Sequence, residues 1–128
     1  MKYGYKKKVE LGFDEAVVRV KEELVKEGFG ILMEIDVREK FREKLEIDFG
    51  KYVILGACNP KFAHEILLKE MDVGLLLPCN VVVYEFGGEV FVSVISPANV
   101  IGVVENDELT ETALVVDERL RKVIDGLC

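Results

Sequence analysis

Val81-Val82-Val83-Tyr84-Glu85-Phe86 and Glu89-Val90-Phe91-Val92-Ser93-Val94-Ile95 stand on either side of Gly87-Gly88. Strand-forming runs joined by two glycines are the pattern of a β-hairpin, because the type I′ turn that matches strand twist needs positive φ at both central residues. A two-residue turn also sets the register, placing Val83 opposite Val92 and Tyr84 opposite Phe91. One face of the hairpin then carries Val81, Val83, Val90, Val92 and Val94, and the reverse carries Val82, Tyr84, Phe86, Phe91 and Ile95. An antiparallel sheet with helices on one side only normally shows polar residues on the other. Both faces are apolar here, so the second is expected to be covered by an additional helix, a second subunit or a ligand.

Downstream, Leu109, Ala113, Val116, Leu120 and Val123 recur every three or four residues, which predicts a closing helix with one apolar stripe. The stretch from Ser96-Pro97 to Asn106 shows neither period and is expected to be irregular. Upstream, Tyr52 to Ala57 predicts a short apolar strand. Asn59-Pro60 then opens a helix to about Lys69 that is expected to bury Ala63, Ile66 and Leu67, with Asn59 as cap and Pro60 in the first turn. Phe29, Ile31, Met33 and Ile35 alternate as a strand ending at Asp36, which caps a helix with apolar Val37, Phe41 and Leu45 and a capping-box acid at Glu39. Phe13, Ala16, Val17, Val20 and Leu24 predict a helix of about four turns stopped at Gly28. The first strand follows from the alternation of Tyr3, Tyr5, Lys7, Val9 and Leu11 with Lys2, Gly4, Lys6, Lys8 and Glu10. The order βαβαβαββα predicts an α+β fold: a two-layer α/β sandwich with a mainly antiparallel five-stranded sheet packed with helices, in one domain over residues 1–128.

Half of the 128 residues are hydrophobic and 32% are charged, which excludes a disordered chain. The net charge of −7 argues against nucleic acid, since a surface that grips phosphates needs a basic face. Lys6-Lys7-Lys8 is the one dense basic run, and strand alternation points Lys7 away from its neighbours. No apolar h-region follows the early lysines, and no apolar run approaches the roughly 20 residues that span a bilayer. Neither export nor a membrane is therefore expected, and the protein is read as cytoplasmic. Cys58, Cys79 and Cys128 are odd in number and widely spaced, so reduced thiols are expected.

Several catalytic patterns fail on inspection. Gly28-Phe29-Gly30 resembles the start of a dinucleotide fingerprint, but Met33 stands at the third glycine's place and the order is helix then strand. His64-Glu65 lacks the second histidine of a zinc-protease helix, Leu68 standing in its place. No phosphate loop occurs, and neither Ser93 nor Ser96 lies in a nucleophile elbow.

What remains is the pair Gly56-Ala57-Cys58-Asn59-Pro60 and Leu77-Pro78-Cys79-Asn80-Val81. With Gly28-Phe29-Gly30 and Glu34-Ile35-Asp36-Val37, these segments resemble the domain-of-unknown-function family 302 over nearly the whole chain. The resemblance implies a TATA-binding-protein-like α/β sandwich and homodimers, with no assigned activity.

Read from the residues, Cys58 leaves a strand just before a helix start, where unpaired N–H groups favour an anion. Cys79 enters another strand, and the two sulfurs line one pocket if those strand ends are neighbours. His64 follows in the same helix, so two thiols and an imidazole are candidates for a soft metal, a cofactor iron or reversible thiol chemistry. Unpaired cysteines equally serve as core packing. Cys58, Asn59, Cys79 and His64 are thus the candidate site, with no cofactor identified. Glu34 and Asp36 share a strand face as a possible carboxylate pair, although capping accounts for Asp36. Three readings stay open: a homodimeric module with a small-molecule pocket near Cys58 and Cys79, a thiol-dependent redox or metal-binding protein, and an interaction domain without a small-molecule site. Whether the protein is an enzyme is not decided by the sequence.

Overall fold

The computed structural model describes residues 1–128. Strands β1 (Gly4–Val9), β2 (Gly30–Asp36), β3 (Tyr52–Cys58), β4 (Cys79–Phe86) and β5 (Glu89–Ile95) form one sheet in the order β1-β5-β4-β3-β2. Every neighbouring pair is antiparallel. The hairpin forms as its glycines require, with φ of 60° at Gly87 and 78° at Gly88, and Val83 pairs with Val92 and Tyr84 with Phe91. Val81, Val83, Val92 and Val94 are buried, and β3 continues their face with Val53, Leu55 and Ala57. Two helices, α1 (Phe13–Lys26) and α5 (Thr110–Asp125), cover it with Ala16, Val17, Val20 and Leu24 from one and Val116, Leu120, Val123 and Ile124 from the other. The result is the α+β two-layer sandwich that the apolar periods predict.

Sequence-local chemistry explains how the layers connect. Helix α1 ends in a Schellman turn: Gly28 has φ of 87°, its N–H bonds the Val25 carbonyl at 3.0 Å, and the Phe29 N–H bonds Leu24 at 2.9 Å. Asp36 caps α2 (Val37–Leu45) by accepting the Glu39 N–H at 3.0 Å. The apolar residues Val37, Phe41 and Leu45 are not enclosed, because α2 has no buried residue at all. The helix lies at the margin of the sheet, where Phe41 meets Phe49 edge to face at 5.0 Å and Leu45 stays 60% exposed.

The far end of the sheet carries α3 (Pro60–Lys69), a 3₁₀ turn at Met71–Leu76 and α4 (Pro97–Val100), which runs on into a second 3₁₀ turn at Ile101–Val104. Ile66, Val73 and Leu109 form a small separate core there. Only Ile66 of the three expected α3 residues is buried, with Ala63 and Leu67 half-buried. The stretch after Ser96 is more ordered than its lack of period predicts. Pro97 occupies the first turn of α4, and the Asp117 carboxylate of α5 accepts the Ala98 N–H at 3.1 Å and the Ser96 hydroxyl. A side chain distant in sequence thus supplies the cap that Ser96 does not.

Candidate functional site

The register brings the two cysteine segments together. Ala57 pairs with Cys79 across β3 and β4, so Cys58 and Cys79 lie at adjoining strand ends. Both line a cavity of about 50 Å³ at the junction of the main core and the small core of α3. By the usual space for a buried water, that volume holds roughly three to four water-sized groups. Its walls come from strand ends (Phe29, Ile95), from α3 (Phe62, Ile66) and from the helical turns (Val73, Ile101).

Asn59 is the one lining residue with a conventional hydrogen-bonding side chain. It occupies the N-cap position of α3 as its sequence predicts, yet its side chain caps nothing. The Asn59 amide instead reaches over Gly28, where an added Cβ would lie 2.9 Å from Nδ2. Gly28 therefore serves twice, ending α1 with a positive φ and leaving the space the Asn59 amide uses. Gly56 is a second close approach: a Cβ there would meet Pro78 Cγ at 2.9 Å and Met33 Cγ at 2.8 Å. Pro78 follows a cis peptide bond and leads directly into Cys79.

The thiols are free. Burial, with a smaller contribution from Cys58, pushes the Cys79 thiol up to about 11. At pH 7 such a group is thiolate in about one molecule in ten thousand, which suits an apolar wall and not an attacking sulfur. His64 is exposed on α3 and does not line the cavity, because α3 presents Phe62, Ala63 and Ile66 to it. The expected group of two thiols and an imidazole is therefore not assembled. No three His, Cys, Asp or Glu side chains come together as a metal site anywhere in the chain. Glu34 and Asp36, two apart on β2, are engaged separately, Glu34 with Lys21 at 2.5 Å and Asp36 as the α2 cap.

One constellation lies outside the residues singled out from the sequence. Asp117, buried on α5, accepts the Ser96 hydroxyl, the Ala98 N–H and the Arg121 Nε–H at 2.6 Å. Burial alone would raise this carboxyl, but the Ser96, Arg121 and Ala98 donors outweigh it and hold it below the ordinary carboxylate range. The guanidinium also lies 4.6 Å from the Tyr5 ring centre, and the Tyr5 hydroxyl donates to Asp125 at 2.6 Å. The network fixes the start of α4, and Pro97, Val100 and Ile101 of that segment form one wall of the cavity. Its only trace in the sequence is the helical face shared by Asp117 and Arg121.

Residues 5–127 match the model of the domain of unknown function DUF302. The chain belongs to the DUF302 family. A crystal structure of an uncharacterized conserved DUF302 protein from Bacillus stearothermophilus superposes with a TM-score of 0.93 at 34% identity, covering 100% of both chains. No curated protein matches the chain. The family resemblance of the Cys-Asn-Pro and Pro-Cys segments thus agrees with both comparisons, and those segments form the cavity wall of a DUF302 fold.

Proposed function

We propose that this DUF302 chain is a single-domain, cytoplasmic and homodimeric binding module whose site is the cavity beside Cys58, Asn59 and Cys79. The observation that carries this reading is an apolar cavity with one uncommitted amide at its wall. Small-molecule sites are typically apolar with a few placed polar groups, and this one would take the apolar end of an uncharged molecule, with Asn59 as its hydrogen-bonding contact. The raised Cys79 thiol supports a packing role for that sulfur within the site. Three free thiols fit a reducing compartment.

The dimer reading rests on α2. A helix with no buried residue lacks the tertiary packing that stabilises most helices, and Leu45, Ile47 and Phe49 beside it are 60%, 46% and 41% exposed. Phe49 joins Ile35, Val37, Phe41 and Ile54 in a largely apolar half of the open sheet face, on which a second copy would complete the packing of α2.

Methyl-labelled protein titrated with xenon, a probe small enough for about 50 Å³, tests the site. Shifts at Ile66, Ile101 and Val116 are expected, and Ala63→Leu, which extends a lining side chain into the cavity, should abolish them with the fold intact. Unchanged methyls up to the solubility limit would overturn the pocket reading. Light scattering tests the dimer separately: a dimer is expected at micromolar concentration, with Ile47→Glu giving monomer, and a monomeric wild type refutes it.

A further inference from the structure

None of the residues lining the cavity beside Cys58 and Cys79 is exposed, so a ligand enters by moving part of the wall aside. The walls differ in how they are held. Phe29 and Ile95 stand at strand ends, and the wall of Pro97, Val100 and Ile101 is fixed by the Asp117 carboxylate through Ser96 and Ala98. The 3₁₀ turn Met71–Leu76 supplies a further side through Val73 and Leu76. Residues three apart in a 3₁₀ turn lie above one another. Val73 and Leu76 therefore share one inward row, while Met71 and Leu75 stand outside it, 76% and 88% exposed.

The turn is tied at its two ends and nowhere between. Before it, Lys69 Nζ donates to the Glu108 carbonyl at 3.3 Å, and Asn106 Nδ2 donates to Glu70 Oε1 at 3.0 Å. After it, Pro78 is seated against Gly56, and Cys79 pairs with Ala57 in the sheet. From Met71 to Leu77 no side chain makes a hydrogen bond or an ion pair. The Val73 and Leu77 N–H groups bond three residues back, to the Glu70 and Gly74 carbonyls, each at 3.2 Å. Val73 is the one buried side chain of the turn, packed with Ile66 and Leu109. A Cβ built at Gly74 would meet no atom within 4 Å. Outward movement there is unobstructed, and it unseats chiefly Val73.

From this we infer that Met71–Leu77 is a strap that opens as a unit between Glu70 and Pro78 while the sheet and α5 stay folded, and that it is the entrance to the cavity. What enters rests on the binding-module reading, whereas the opening itself is measurable with no ligand present. Segments with few buried contacts and only local hydrogen bonds open at the low end of a fold's stability range, and such lids set the rates of entry and release.

Amide hydrogen exchange and ¹²⁹Xe NMR of the full chain test the two parts. The Val73 and Leu77 amides should exchange at least about tenfold faster than those of Leu120 and Val123 in α5, with little dependence on urea below the unfolding transition. Gly74→Ala is the decisive variant, since position 74 does not line the cavity and has room for the methyl. Lost freedom of the open strap should slow the exchange of those amides, and the exchange of bound with free xenon, by the same factor of about two to five, with xenon affinity unchanged. Strap amides that exchange together with α5, at the same urea dependence, would overturn the strap. Xenon exchange unaltered in Gly74→Ala while the amides slow would overturn the entrance. Fast strap amides with no xenon in the cavity would refute the pocket reading, and the entrance with it, while the opening stands.

Discussion

Replacing Asp117 by Ala probes the one buried carboxylate of the fold. Its three donors respond differently. The Arg121 side chain is 41% exposed and returns to water, so its loss is that of a partly screened pair, about 1 kcal/mol or less. Ser96 is 1% exposed, and neither its hydroxyl nor the Ala98 N–H has another acceptor; together these orphaned donors cost about 2–4 kcal/mol. Relief of the carboxylate's own desolvation offsets part of this, leaving about 3 kcal/mol, or a Tm lower by about 10 °C in a chain of this length. Asp117→Asn retains an acceptor oxygen and should lose only about 1 kcal/mol. A carboxyl held below its ordinary range contributes stability that is fully present above the unfolded pKa of about 3.9 and is lost as pH falls through the native value. The gap between wild type and Asp117→Asn should therefore close as pH drops below about 4. Urea unfolding followed by circular dichroism across pH measures both quantities. An Asp117→Ala variant within about 0.5 kcal/mol of wild type at pH 7 would refute the assignment of the network as the anchor of α4.

Other outcomes follow from the same geometry. Iodoacetamide at pH 7.5 should modify exposed Cys128 and leave Cys79 unmodified until urea is added, as mass spectrometry of peptides would show. Because Cys79 is held protonated up to about 11, the unfolded chain loses that proton first, and stability should fall as pH rises from about 8.5 toward the native value; Cys79→Ala should remove this alkaline slope. Gly56→Ala should cost about 1–3 kcal/mol in thermal unfolding, since Met33 can bend away from the new Cβ but the Pro78 ring cannot.

The parts of the fold legible in the sequence are those fixed by neighbours in the chain. Gly87-Gly88 set the β4–β5 register, the stripes of α1 and α5 named their buried residues, and Asp36 capped α2 as its position requires. The parts that escaped depend on partners distant in sequence. Val37, Phe41 and Leu45 have a helical period, but a period shows only that an apolar stripe exists and not that anything covers it. The turns after Ser96 carry no period, because their order comes from Asp117, some twenty positions later.

The site was legible in part for a geometric reason. Within a strand, alternation would put Cys58 and the Ala57–Cys79 pair on opposite faces of the sheet. They line one cavity because β3 ends at Cys58 and the chain turns into α3, so the alternation that organises the sheet stops where the cavity begins. Sequence spacing therefore located the two segments correctly but gave no way to exclude His64, whose direction depends on the roll of α3 about its axis. That roll is set by Ile66, which packs with Val73 and Leu109 in the small core and carries His64 outward. The same roll turns Phe62 and Ala63 inward, and this is why a cysteine pair expected to meet an imidazole meets an aromatic ring and a methyl group in its place. Burial in these surroundings is what raises the Cys79 thiol, and Asn59 is left as the one amide among apolar walls.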